Sequence, residues 1–468
     1  MRTRLFISLI LISLLCFPNQ IMAQSNEDFP FYTVQPGETL SIIAEKFSVT
    51  INEIVNLNQL TNPDLISPGT RLRIPGLQGI NGELTTRSIN IGENIDILSQ
   101  KYLIPQVLLI KVNRLTSPNE IYAGSELIIS IAQAKPSRIS AAVLKEKQSI
   151  FDSSILLSLN PWVFSVENMN SMANGLLSDD FLYLPAETGF AEMNPISPLI
   201  KSISINPLPI AQGNTEIIRI ETMVPLNLAG RLNNHELHFF SFGQNLYYAF
   251  QGIYAMAEPG LASLSISGQN EKKESFSYQQ MLLLKPSAFQ NDPPLNVKDQ
   301  TVDPAITKPE EDYVKSLVAI ISPEKLWQGK FVYPIDEPIC LKSIYGSRRS
   351  YNDGSLVSFH TGLDFGVCAP SLNVYSAAAG KVLYTGHLNV RGNAVFIDHG
   401  QGIYTGYFHL AQINVNTGDL VQSKQLIGLV GSTGRVTGPH LHFEIWVNGV
   451  QVNPADWFKK NILDEIGQ

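Results

Sequence analysis

The chain has 468 residues, a net charge of −8 and only 16% charged residues. That length is too great for one hydrophobic core and allows three or four domains. An acidic balance without a long basic run argues against a nucleic-acid partner. At the N-terminus, Arg2 and Arg4 precede an apolar stretch over residues 5–17, and small Ala23 follows. This pattern reads as a secretory signal peptide, residues 1–23. The apolar stretch is shorter than the roughly 20 residues of a spanning helix. The expectation is therefore a secreted, extracytoplasmic protein with no stable membrane insertion once the leader is removed. Cys16 goes with that leader, which leaves Cys340 and Cys368 as an even pair. An oxidising compartment allows them to join as a disulfide.

Residues 31–75 begin with a short strand, YTV, and a Pro-Gly turn. Thr39 is placed to cap a helix carrying Leu40, Ile43, Ala44 and Phe47 at helical spacing, and Thr50 to cap a second carrying Ile51, Ile54 and Val55. NP and PG turns lead to a closing strand, RLRI. The order strand, helix, helix, strand recurs over 86–130. Gly37, Glu38, Asn58, Gly69 and Leu72 reappear as Gly92, Glu93, Asn113, Gly124 and Leu127, every pair 55 residues apart. A third, worn copy is read over 148–185, on Asn170, Met172 and a final strand. The first copy resembles the LysM module in its YTVQPGETL opening and LISPGTRLRIP ending. The resemblance implies binding of N-acetylglucosamine-containing glycans such as peptidoglycan. The second copy is degenerate, with Ile91 at the position of the turn proline.

Short alternating segments over 198–285, among them IKSISI, TEIIRIETM, LYYAFQGIY and ASLSISG, predict an immunoglobulin-like β-sandwich. The HELH run there places His235 and His238 three apart, hence on opposite faces of a strand. It also lacks the spacing that sets two ligands on one helix face. Residues 286–312, rich in Pro, Asp and Lys, read as a linker.

Six of the eight histidines lie after residue 359. TGPHLHFEIW predicts a strand ending at the Asn448–Gly449 turn. Alternation puts His440, His442 and Glu444 on one face, and Leu441, Phe443 and Ile445 on the other. FHTGLDFG adds His360 and Asp364, and YTGYFHL adds His409. A catalytic zinc takes three protein ligands and keeps a position for water. Five candidate groups exceed that need, so some are ligands and others handle protons. His387 and His399 read as a loop residue and a structural turn residue.

Residues 325–458 resemble the M23 (LytM or lysostaphin-type) peptidase domain. The marks, in family order, are WQGKF, YGSRR, HTGLD, AAGKV, GNAVFIDHG, GYFHL, IGLVGSTG and TGPHLHFE. The resemblance implies that His360, Asp364 and His442 hold Zn2+ and that His440 and His409 serve catalysis. The chain is thus expected to be multidomain and mainly β, with βααβ LysM modules, a β-sandwich and a C-terminal antiparallel β-sheet catalytic domain. The expected function is a cell-wall-associated zinc endopeptidase. It would cut cross-links or stem peptides of peptidoglycan, with LysM modules on the glycan strands. The alternative is a LytM-type regulator or scaffold of other wall hydrolases.

Overall fold

The computed structural model describes residues 29–77, 80, 82–102, 104–131, 140–143, 150–156, 160–162, 181–184, 196–297, 301–354 and 356–465. The expected signal peptide lies outside the described residues, as does most of the expected third repeat. The chain forms two compact units. One holds the first repeat with residues 107–114 and 128–135; the other holds residues 87–106, 115–127 and everything after 135.

The first repeat forms as its local signals predict. Strand Phe31–Thr33 pairs antiparallel with Arg71–Arg73. Helix Leu40–Phe47 starts at Thr39, whose hydroxyl accepts the Ile42 N–H. Helix Ile51–Asn58 starts with a capping box between Thr50 and Glu53. Leu40, Ile43, Ala44, Phe47 and Ile54 pack with Tyr32, Leu72 and Ile74 in one small core. Asn58 ends the second helix by donating to Ile54 O and Arg73 O and accepting the Arg73 N–H. Asn113 makes the same three bonds, to Leu109 and Ile128. The 55-residue repeat is thus a repeat of hydrogen bonds.

The turn faces of the two copies differ in surroundings. Around Gly37 and Gly69 of the first copy there is open space. In the second copy the Gly92 N–H bonds to Tyr278 Oη and Gln280 Oε1, and Ala123 bridges Leu282. Ile91 and Ala123 belong to the sandwich core. The backbone at Gly124 passes so near Pro209 that a Cβ there would lie 2.7 Å from its Cα.

The β-sandwich has two sheets. In one, strands run in the order His235–Leu237, Asn227–Leu232, Gly260–Gln269, Ser275–Lys285, Ile210–Ala211. In the other the order is Phe240–Ser241, Leu246–Gly252, Thr215–Thr222, Ile200–Asn206. Inward isoleucines and leucines such as Ile203, Ile205, Ile218, Ile220, Leu264 and Ile266 fill the space between.

The C-terminal domain is built on one large antiparallel sheet. Its central strands, in spatial order, are Leu363–Gly366, His440–Val447, Ile403–Leu410, Gly392–Gly400 and Gly380–Leu388. One face of the His440–Val447 strand presents Leu441, Phe443, Ile445 and Val447 to a core with Leu363, Phe365, Tyr407 and Trp457. Ile217, Tyr248, Phe250 and Ala255 of the sandwich join that same core. Polar bonds reinforce the junction: Tyr248 Oη to Gln401 at 2.8 Å, Trp457 Nε1 to Thr215 at 3.1 Å and Asn448 Nδ2 to Gln251 at 2.7 Å. Cys340 and Cys368 are disulfide-bonded, with Cα atoms 6.1 Å apart.

The described residues of the stretch read as a linker, 286–297 and 301–312, form a structured strap instead. Asn291 and Leu295 bridge Arg348 and Tyr351. Asp303 then caps helix Pro304–Leu317, with proline at its first position. Val314 and Val318 are buried against Phe396, Tyr404, Phe408 and Trp446, on the opposite face of the sheet from the shared core. Both valines lie beyond residue 312, outside the polar stretch, and their burial holds the helix in place.

Candidate metal centre and proton-handling pair

Strand register brings the site together. Asp364 lies opposite His442, and His442 opposite Phe408 on the next strand. Residues opposite one another in a sheet point to the same face. His440, His442 and Glu444 therefore share the face that carries Asp364, as the alternation predicts. His360 follows strand Leu356–Phe359 and reaches the same point.

His360, Asp364 and His442 are all buried, and one donor atom of each lies within 4.8 Å of the others. Among the described residues this is the one such group of three; neither His235 nor His238 belongs to it. His360 Nε2 is 2.9 Å from Asp364 Oδ1 and 2.9 Å from His442 Nδ1, and His442 Nδ1 is 2.7 Å from Asp364 Oδ1. The far nitrogens are held from behind. His360 Nδ1 donates to Ile344 O at 2.9 Å, and His442 Nε2 is 3.2 Å from Glu444 Oε1. Asp364 turns its second oxygen to Arg349 Nη2 at 2.8 Å. Arg349 is itself fixed by Ser343 Oγ at 2.8 Å and Asp292 Oδ2 at 3.1 Å. Two imidazoles and a carboxylate, each anchored on its outer side, suit a divalent transition metal such as zinc.

Electrostatics follow from burial. Burial drives the His360 pKa down to about 4, against the pull of Asp364. Burial alone would raise the Asp364 pKa, but His360 and His442 outweigh it and hold the carboxyl well below its ordinary value. Burial opposes charge on His442, yet its bonds to Asp364 and Glu444 prevail and raise its pKa. Glu444 is pulled to about 2 despite burial, by the His442 bond first and then Arg391 and Thr361. Glu444 also accepts from Trp446 Nε1 at 2.8 Å and Gln451 Nε2 at 3.1 Å.

His409 reaches the site by a different route. Regular alternation would send it to the core side with Tyr407. Instead its backbone is left-handed, with φ 64°, and the register with the neighbouring strand shifts between Asn393 and Val395. This bulge re-aims the ring. His409 Nδ1 donates to Thr433 O at 2.7 Å, and its N–H to Arg391 O at 2.9 Å. His440 Nδ1 donates to Gly438 O at 2.8 Å. Both bonds leave Nε2 as the free nitrogen. The two rings are 4.9 Å apart, and His409 is 6.0 Å from His442. Burial lowers the pKa of both His409 and His440, and mutual repulsion lowers that of His409 further. Each is therefore a neutral ring with one open nitrogen, able to take up a proton.

All five residues line one cavity of about 1030 Å³. The remaining histidines stand apart. His399 is fully buried, bonded to Ala379 O and Thr405 Oγ1 at 2.8 Å each. His387 is exposed beside Asn393. Both lie inside strands rather than in the loop and turn expected of them. Sequence reasoning placed Glu444 on the right face but gave it no task. Arg349 was visible only within YGSRR, and Asp292 carried no signal.

Residues 358–454 match peptidase family M23, and residues 32–75 and 88–130 each match the LysM domain. The peptidoglycan DD-endopeptidase ShyA of Vibrio cholerae is 41% identical over 121 residues, which is 26% of this chain and 28% of that protein. The DD-carboxypeptidase/endopeptidase Mpg of Neisseria meningitidis is 45% identical over 97 residues, 20% of this chain and 22% of that one. The chain thus spans less than a third of the length of these relatives. A solved zinc-containing peptidase from Vibrio cholerae has a TM-score of 0.26 at 17% identity, covering 91% of this chain and 98% of its own.

Proposed function

We propose that this chain, with its M23 peptidase domain and its two LysM domains, is a zinc-dependent endopeptidase that hydrolyses peptide bonds of peptidoglycan outside the cytoplasm. The observation that carries this reading is the convergence of His360, Asp364 and His442 beside two neutral histidines in one cavity. His360, Asp364 and His442 hold the metal. Zinc bound there supplies a Lewis acid and a water of lowered pKa. His440, with its Nδ1 fixed on Gly438 O, accepts a proton at Nε2 and later returns one to the leaving amine. His409, fixed on Thr433 O, offers its Nε2 side to the developing oxyanion once protonated or hydrogen-bonded through water. Arg349 keeps Asp364 in place throughout.

The LysM domains hold the enzyme on glycan, which raises the concentration of cleavable bonds within reach. The chain is exported by its N-terminal leader and acts at the wall. A regulator lacking catalysis would need none of the five residues, whereas this chain keeps them all.

The test uses the full chain with zinc and purified peptidoglycan. New amino groups should appear, and a chelator should stop their release. His440→Ala should keep zinc and lose turnover; His442→Ala should lose both. A zinc-loaded chain that releases no amino groups would overturn the enzymatic reading.

A further inference from the structure

We propose that Arg435, with Arg391 beside it, forms a carboxylate-binding subsite on the catalytic groove, so that the preferred peptide carries a free carboxylate next to the scissile amide. This inference rests on the peptidase reading above and names the substrate class for the same site.

Both arginines line the cavity that holds the five site residues. Both belong to the segments that fix His409. The Arg391 carbonyl accepts the His409 N–H, and Thr433, two residues before Arg435, accepts His409 Nδ1–H. The Arg435 N–H is tied to Val390 O at 2.8 Å. The two side chains are thus mounted on backbone already locked to the proton-handling pair.

The charge of Arg435 is not balanced by a carboxylate as those of Arg349 and Arg391 are. Arg349 sits between Asp292 and Asp364. Arg435 donates Nη1 to the Thr301 carbonyl at 3.0 Å and lies with its guanidinium carbon 4.7 Å from the Tyr351 ring. Among the described residues it forms no ion pair with a carboxylate. Arg391 gives Nη1 to Glu310 at 3.1 Å, while its buried Nε has no hydrogen-bond partner. Burial, then repulsion from Arg391 and Arg349, pushes the Arg435 pKa down. A desolvated guanidinium without a counter-charge is costly, and an orphaned donor beside it adds to the cost. A ligand carboxylate relieves the cost at Arg435, since its two oxygens match the fork of guanidinium donors. A carboxamide presents one acceptor and no charge, so it relieves that cost poorly.

The experiment compares synthetic peptides identical except for a carboxylate or a carboxamide on the residues flanking the scissile bond. With the zinc-loaded full chain, kcat/KM should favour the acid by about tenfold, mainly through KM. Arg435→Ala should bring the acid-to-amide ratio close to one, and Arg435→Lys should leave an intermediate ratio. Zinc content and circular dichroism report folding of each variant. The dissociation constants of the same peptides for zinc-loaded His440→Ala give a second readout that needs no turnover. A tenfold binding preference there would support the subsite even if hydrolysis were not seen, in which case the enzymatic reading alone would fall. Equal binding of acid and amide by the wild-type and His440→Ala chains would overturn the subsite. So would an unchanged ratio in folded Arg435→Ala.

Discussion

His360 and His442 share a cavity with His409 and His440, yet the inner nitrogens of the two pairs meet different neighbours. In the first pair, each ring is pinned on its outer side, and Asp364 stands between the inner nitrogens at 2.7 and 2.9 Å. In the second pair, Nδ1 of each ring is bonded to a neutral backbone carbonyl. Its Nε2 meets no carboxylate at hydrogen-bonding distance, the nearest approach being His440 to Asp364 at 3.6 Å. His360 too rests its outer nitrogen on a carbonyl, Ile344 O, so the neighbour of the inner nitrogen marks the difference. A ring whose inner nitrogen faces a carboxylate is placed as a stationary donor to a cation, and a ring whose inner nitrogen faces none is free to change its proton.

That contrast can be broken from either side. The largest effect is expected from His442→Ala, which should abolish stoichiometric zinc and cut turnover by at least about a thousandfold. Zinc retained at one equivalent would show that the pairs are assigned the wrong way round. His440→Ala comes next, with zinc retained and kcat lower by roughly 10² to 10⁴; metal analysis and single-turnover kinetics on one sample decide it.

His399 sharpens the comparison as a buried histidine with no charged neighbour in hydrogen-bonding contact. Burial lowers its folded pKa to about 4, from an ordinary value near 6.5. Below pH 6.5 the unfolded chain takes up the proton first, so stability falls as pH drops and is fully present above 6.5. The loss between pH 6.5 and 4 should reach about 3 kcal/mol. His399→Gln should flatten that part of the stability curve, and a curve unchanged by the substitution would refute the linkage.

Glu444→Gln removes the charge behind His442. The zinc dissociation constant, measured by chelator competition, should rise about 10- to 100-fold with the fold intact. Asp292→Asn acts one bond farther out, through Arg349, and should weaken zinc by less than Glu444→Gln. An effect as large as that of Glu444→Gln would make the strap an equal partner in the metal centre.

Much of this was legible along the chain. Thr39, Thr50 and the apolar spacing of the first repeat act within a few residues, so the helices form where those signals stand. The HLH face was legible because a strand alternates with period two. His409 was legible only through its motif, since its direction depends on a left-handed backbone and a bulge that alternation does not foresee. The strap was misread because its helix is stabilised by Phe396, Tyr404, Phe408 and Trp446, all remote in sequence. The embedding of Ile91 and Ala123 in the sandwich core escaped notice for the same reason: both belong to a repeat whose other copy leaves its turn open.

The apolar interior common to the sandwich and the peptidase sheet has a bearing on proteolytic processing. A single cut in the polar stretch between them would sever the chain but not the packing of Phe250 on Trp327 or the bond from Trp457 to Thr215. The two fragments should co-purify under native conditions and separate only in denaturant. Maturation by trimming upstream of residue 196 would leave that interior whole, whereas excising the peptidase half would uncover a greasy flank on each product.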